Sequence, residues 1–171
     1  MFMKKVHTGK GTRLINRKYI HIGNDCRFGR NCRIEAVKEY AGEFFNPSLT
    51  IGESVSMEEN VHIGCAQSVT IGCGTMIGSR VLITDHSHGD TVRESLSIRP
   101  ELRPLKTSSV VIGRNVWICE GVSILPGVAL GDGVIVGANA VVTHSFPDGV
   151  VIAGCPAKII RKIEDSDAES D

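Results

Sequence analysis

Ile112 to Val142 reads IGRNVW ICEGVS ILPGVA LGDGVI VGANAV V, an aliphatic residue opening each block of six and a small or aliphatic residue standing four places on. The same spacing runs outward toward the N-terminus. It appears as Ile22-Gly23, Phe28-Gly29 and Ile34-Glu35, resumes at Ile51-Gly52, and continues through Met57, Ile63, Ile71-Gly72, Ile77-Gly78 and Ile83. On a helix, at about 100° per residue, six steps amount to about 600°, so successive aliphatics would point to three different sides. On a strand an even spacing keeps them on one face, together with the partner four places on. Those partner slots hold Cys26, Cys32, Val55, Val61, Thr75, Val81, Val116, Val122, Val128, Val134 and Ala140. The spacing therefore predicts short strands separated by tight bends. The Gly that often follows the aliphatic is expected to supply the bend, because it tolerates backbone angles closed to other residues. Three such faces make a coil of about eighteen residues, and stacked coils form parallel ladders about 4.8 Å apart.

Composition narrows the class of molecule. Nineteen basic and nineteen acidic residues cancel, so no net field draws the chain to nucleic acid or to an anionic membrane. The first ten residues contain no apolar run, so no signal peptide is expected and the cytoplasm is the expected compartment. Val122 to Val142 is apolar but interrupted by Pro126, Gly127, Gly131, Asp132 and Gly133, which fits burial rather than membrane insertion. Six cysteines without a Cys-x-x-Cys pair read as free thiols, with Cys26 and Cys32 in core slots.

Two stretches leave the period, residues 36–50 with Tyr40, Gly42, Phe44, Phe45 and Pro47, and residues 87–111 with Arg93, Arg99, Pro100, Arg103 and Pro104. Loops ejected from a rigid solenoid are where binding function collects. The second is favoured because it starts at Ile83-Thr84-Asp85-His86-Ser87-His88-Gly89-Asp90, which carries two of the chain's histidines. Histidine is the side chain whose ordinary pKa suits a general base near neutrality, and Asp85 is a candidate to orient either ring, although a loop carboxylate that simply faces water fits the sequence equally. His7, His21 and His144 read as surface residues. After Pro147, Val150 to Ile163 reads as a segment closing the end of the solenoid, with a short capping helix expected over 156–163. Glu164 to Asp171 has nothing to bury and reads as a disordered acidic tail.

The repeat [LIVFM]-[GAED]-x-x-[STAVC]-x resembles the signature of the hexapeptide-repeat acyltransferases from about Ile22 to Ile163. That resemblance implies an all-β solenoid, a left-handed parallel β-helix with an ejected loop, as one domain over residues 1–163. It implies transfer of acetyl from acetyl-CoA to a sugar hydroxyl by direct attack, and a homotrimer with sites between chains. In the family's sugar acetyltransferases a His at the end of a coil beside the external loop is the base; His88 matches that place best, with His86 the alternative. Val116-Trp117-Ile118 resembles the coil whose Trp lies along the CoA channel. The run from Gly137 through Ala138 to Thr143 resembles the pantetheine track, and Gly154-Cys155-Pro156-Ala157-Lys158 with Arg161 resembles the end that meets nucleotide phosphates. Asn60 matches a substrate-contacting Asn of galactoside and maltose acetyltransferases, although an Asn at a coil corner can equally be a turn residue.

Departures point the same way. The helical start of the small-sugar enzymes is not in this sequence, and Cys119-Glu120 replaces the usual Gly and small residue; the shorter start, Asp85-His86-Ser87-His88 and Arg103-Pro104-Leu105 look closer to the branch acting on lipopolysaccharide, capsule or exopolysaccharide sugars. Two other activities fit the resemblance less fully. One is a zinc lyase like the γ-class carbonic anhydrases, with ligands from His62, His86 and His88; the other is an amino-sugar N-acetyltransferase. The favoured reading needs no metal.

Overall fold

A computed structural model describes residues 6–163; the acidic tail expected to be disordered lies outside the described residues. The chain visits three parallel sheets in rotation. The first face carries Val6–Thr8, Cys26–Phe28, Ser56–Met57, Met76–Ile77, Trp117–Ile118, Ile135–Val136 and Val150–Gly154; the second carries Arg13–Ile15, Arg33–Ala36, His62–Cys65, Leu82–Thr84, Ser123–Ile124 and Val141–Val142. The third carries Ile20–Ile22, Ser48–Ile51, Ser68–Ile71, Val110–Ile112 and Ala129–Leu130. Register keeps like with like. Ile34, Ile63, Ile83 and Ile124 stand in line on the second face, and Phe28, Met57, Ile77 and Ile118 follow the same rule on the first. Every aliphatic of the repeat from Ile22 to Val142 is buried, with the partner slots Cys26, Val61, Val81 and Val122 beside them. The core is a column of branched side chains down the middle of the coil.

The glycines that follow the aliphatics work differently from the expectation. A Cβ on Gly72 would lie 2.4 Å from the carbonyl oxygen of Gly113, and one on Gly29 2.6 Å from the carbonyl carbon of Glu58. They are small because the next coil's backbone presses on them. Positive φ falls two residues later, at Asn31, Asn60, Arg80, Gly121 and Asn139 along one corner and at Asp25, Ser54, Gly74, Asn115 and Gly133 along another. Asn, Asp and Gly are the residues that adopt this conformation most readily.

The expected C-terminal helix is a strand. Ala157–Lys162 folds back antiparallel on Val150–Gly154 and extends the first sheet. Val150, Val151, Ile152, Ile159 and Ile160 are β-branched and prefer strands, and the edge of that sheet offers backbone partners a lone helix would leave unmet. The first excursion is shorter than the sequence suggests, and the second is as long but begins two residues earlier. Ala36 still belongs to the strand Arg33–Ala36 and Ser48 already belongs to the next, so the first is a hairpin of Glu39–Tyr40 with Glu43–Phe44. The second leaves after Thr84, pairs His86–His88 with Leu105–Thr107 as an antiparallel stem, and rejoins the third face at Val110.

Candidate active site

Both excursions leave from the corner between the second and third faces, one coil to either side of the strand His62–Cys65. That placement brings them together. The Tyr40 hydroxyl donates to the Glu101 carbonyl at 2.9 Å, and the Tyr40 ring meets the His88 ring edge-on at 4.9 Å. Between the hairpins and the outer surface of the second sheet lies a cleft of about 390 Å³. Its floor is Arg33, Glu35, His62 and Gly64, its walls Tyr40 on one side and His86, His88 and Leu105 on the other.

Asp85 organises this cleft from behind. It is fully buried, and its carboxylate occupies the place where a following coil would otherwise satisfy the corner amides. Oδ1 accepts from the Ala66 N–H at 2.8 Å, and Oδ2 accepts from Gln67 N–H at 2.7 Å and Ser68 N–H at 2.8 Å. The remaining bond runs to His86, whose Nδ1 stands 2.9 Å from Oδ1. Burial pushes the Asp85 carboxyl up, but the hydrogen bond with His86 and the amides of Ala66 and Gln67 outweigh it and hold the group below the ordinary carboxyl value. The group is therefore an ionised acceptor, and a carboxylate without a proton requires the proton on His86 Nδ1. The Nε2 lone pair is then free on the side of the cleft.

Gly64 gives the ring its seat. A Cβ there would stand 3.0 Å from His86 Cε1 and 3.7 Å from Nε2, so the imidazole rests against the bare backbone of the neighbouring strand. Glu35 is the register partner of Gly64, and His62 that of Arg33. Arg33 Nε donates to Glu35 Oε2 at 2.8 Å and its Nη2 bonds the same oxygen. His62 is held below its ordinary pKa, chiefly by burial and further by the charges of Arg33 and His86, with Glu35 acting in the opposite sense. Cys65, behind Asp85, is pushed up to about 12 by burial and by the Asp85 carboxylate, which leaves it a buried thiol rather than a nucleophile.

Of the residues singled out in the sequence, Asp85, His86 and His88 come together here. The hydrogen-bonded partner of Asp85 is His86, whereas His88 packs on Tyr40. Trp117 is about half exposed on the first face, so within one chain it does not line the cleft. Ala138, Thr143, Lys158 and Arg161 are exposed on the last coils and the terminal hairpin. Glu120 bonds Arg80 on the neighbouring coil. Asn60 adopts a φ of 60° and donates its backbone N–H to the Arg30 carbonyl, a corner role that its residue type explains on its own. The floor residues Arg33, Glu35 and Gly64 escape sequence reading, because each sits in an ordinary outward slot. Among the described residues no three His, Cys, Asp or Glu side chains converge as a metal-binding group, and no helix is long and apolar enough to cross a membrane.

Comparison with known proteins gives the following similarities. The family model described as bacterial transferase hexapeptide (six repeats) matches residues 109–144. The "Putative lipopolysaccharide biosynthesis O-acetyl transferase WbbJ" of Escherichia coli (strain K12) is 43% identical over 147 residues, which is 84% of this chain and 71% of that protein. The galactoside O-acetyltransferase of the same strain is 33% identical over 126 residues, covering 72% of this chain and 58% of that one. Among solved structures, a galactoside acetyltransferase in complex with coenzyme A matches with a TM-score of 0.58 at 25% identity, over 92% of this chain and 65% of that chain. A maltose O-acetyltransferase from Clostridium difficile 630 matches with a TM-score of 0.54 at 27% identity, over 95% of this chain and 68% of that chain.

Proposed function

The chain belongs to the bacterial hexapeptide-repeat transferase family, and on that premise we propose that it moves an acetyl group from acetyl-CoA to a saccharide hydroxyl with His86 as the base. The observation that carries the assignment is the buried Asp85, which spends its last acceptor position on His86 Nδ1. Nε2 takes the proton of the acceptor hydroxyl as its oxygen attacks the acetyl carbonyl, and the fixed carboxylate stabilises the imidazolium that forms. Backbone N–H groups offset the charge on the tetrahedral oxygen. Collapse expels CoA as the thiolate, which recovers the proton from Nε2. His88 shapes the acceptor side through Tyr40 rather than taking the proton, and Asn60 stays a secondary candidate for acceptor contact.

The name of the WbbJ relative supports a lipopolysaccharide sugar as acceptor, and family membership supports a left-handed turn of the coil. Acetyl-CoA is a substrate here, approached by Trp117, Ala138 and Thr143 along its arm and by Lys158 and Arg161 at its phosphates. Trp117 stands on the first face and His86 on the stem that leaves the corner between the second and third, so the reading includes a homotrimer in which Trp117 of one copy stands opposite His86 of another. Use of acetyl-CoA supports the cytoplasm as the compartment of this reading. The test is thiol release from acetyl-CoA against free, nucleotide-linked and polymeric sugars, amino sugars included. His86→Ala is expected to lower the rate with a competent acceptor by roughly 10² to 10⁴ while leaving the fold intact. A fully active His86→Ala enzyme beside an inactive His88→Ala one would move the base to His88.

A further inference from the structure

The zero net charge conceals a segregation along the solenoid. From Val6 to Asn24 the chain carries Lys10, Arg13, Arg17 and Lys18 and not one carboxylate. These nineteen residues form the first coil, whose strands Val6–Thr8, Arg13–Ile15 and Ile20–Ile22 are the edge strands of the three sheets. All four cations are exposed. Between Asp25 and Asp148 cations and carboxylates are mixed along the chain, and six of the cations there, Arg30, Arg33, Arg80, Arg99, Lys106 and Arg114, each meet a Glu or Asp. Among the described residues no ion pair engages Lys10, Arg13, Arg17 or Lys18; Arg17 turns to the Ile20 carbonyl and Lys18 lies over the Tyr19 ring at 4.7 Å.

The same end is not purely polar. Val6, Leu14 and Tyr19 pack on the core yet stay only partly buried, because they stand at the edge of the stack. Half-buried apolar side chains that share a coil with four exposed cations suit a lipid headgroup layer, where the charges meet phosphates and the stems and rings reach the acyl boundary.

We propose that the first coil is a membrane-docking end, which holds the protein by Lys10, Arg13, Arg17 and Lys18 against an anionic lipid surface. Arg13 is the register partner of Arg33, so the docking end lies one strand away from the floor of the cleft. An acceptor displayed at a membrane would therefore meet the cleft without the protein letting go. The docking rests on the surface alone and stands apart from the acetyl-transfer reading.

The experiment is co-sedimentation of the full chain with vesicles of phosphatidylcholine containing about 30% phosphatidylglycerol, and with phosphatidylcholine alone, at about 50 and 300 mM salt. Binding is expected only to the anionic vesicles and mainly at low salt. Each neutralised cation should weaken it roughly fivefold, so Lys10→Gln, Arg13→Gln, Arg17→Gln and Lys18→Gln together should lose several hundredfold. Arg30→Gln, whose charge is already matched by Glu59, should change it by less than about twofold. Circular dichroism confirms that each variant is folded, and the single variants carry the test if the fourfold one is not. Equal binding to neutral vesicles, no binding to anionic ones, an unaffected set of variants, or tighter binding to duplex DNA than to vesicles would each overturn the proposal.

Discussion

Replacing Asp85 by Asn changes one atom type at the centre of the site, and the hydrogen-bond geometry sets the consequence. Oδ1 serves Ala66 N–H and His86 Nδ1, and Oδ2 serves Gln67 N–H and Ser68 N–H. A carboxamide has only one oxygen, so whichever way it turns, two donors face an NH2 group. Each donor left without a partner costs about 1 to 3 kcal/mol, so an NH2 facing Gln67 and Ser68 costs about 2 to 6 kcal/mol, and one facing Ala66 and His86 about 1 to 3 kcal/mol, because His86 can change tautomer and only the Ala66 N–H is stranded. If the NH2 group faces His86, Nδ1 must accept, Nε2 carries the proton, and the proposed base is lost. If it faces Gln67 and Ser68, the tautomer survives but no charge stabilises the imidazolium. Either way kcat/KM should fall by roughly 10² to 10⁴. Urea unfolding reads the stability and thiol release reads the rate. The pH dependence supplies an independent check. Below the ordinary carboxyl value of about 3.9 the unfolded wild-type chain takes up a proton at this position before the folded one does, so stability falls as pH drops through the folded value. The Asn variant has no such slope from this position. A variant within about 1 kcal/mol of wild type and within about threefold of its rate would refute the reasoning.

Gly64→Ala places a methyl 3.0 Å from His86 Cε1, so the ring must shift; activity should drop by about tenfold or more while urea stability changes much less than in Asp85→Asn. His62 is held below its ordinary pKa, so the unfolded chain binds its proton first, and stability should be full above about pH 6.5 and decline below it. His62→Phe should flatten that decline in urea midpoints compared between neutral and mildly acidic buffer. Cys65, with its thiol pushed up to about 12, should resist iodoacetamide in the folded protein, whereas exposed Cys73 and Cys155 become alkylated, as peptide mass spectrometry would show. Alkylation of Cys65 at the pace of Cys155 would contradict the burial argument.

What could be read without coordinates is whatever the chain repeats. The six-residue spacing names the inward aliphatics one by one, since each strand is too short to do anything but alternate and each coil meets a copy of itself. The local error came at residues 156–163, where one proline outweighed the six β-branched residues between Val150 and Ile163 and the open sheet edge was not in view. The histidines were found by type and place, but their ranking needed a partner. Asp85 reaches back seventeen to nineteen residues to Ser68, Gln67 and Ala66, one coil away, and that distance depends on how many residues the coil holds. Tyr40 and Glu101 stand sixty-one residues apart, and no periodicity relates them. Local spacing thus determined the coil and its core, because those contacts recur every turn. Stacking alone decided which loops share a corner, and with it which imidazole is held by the buried carboxylate.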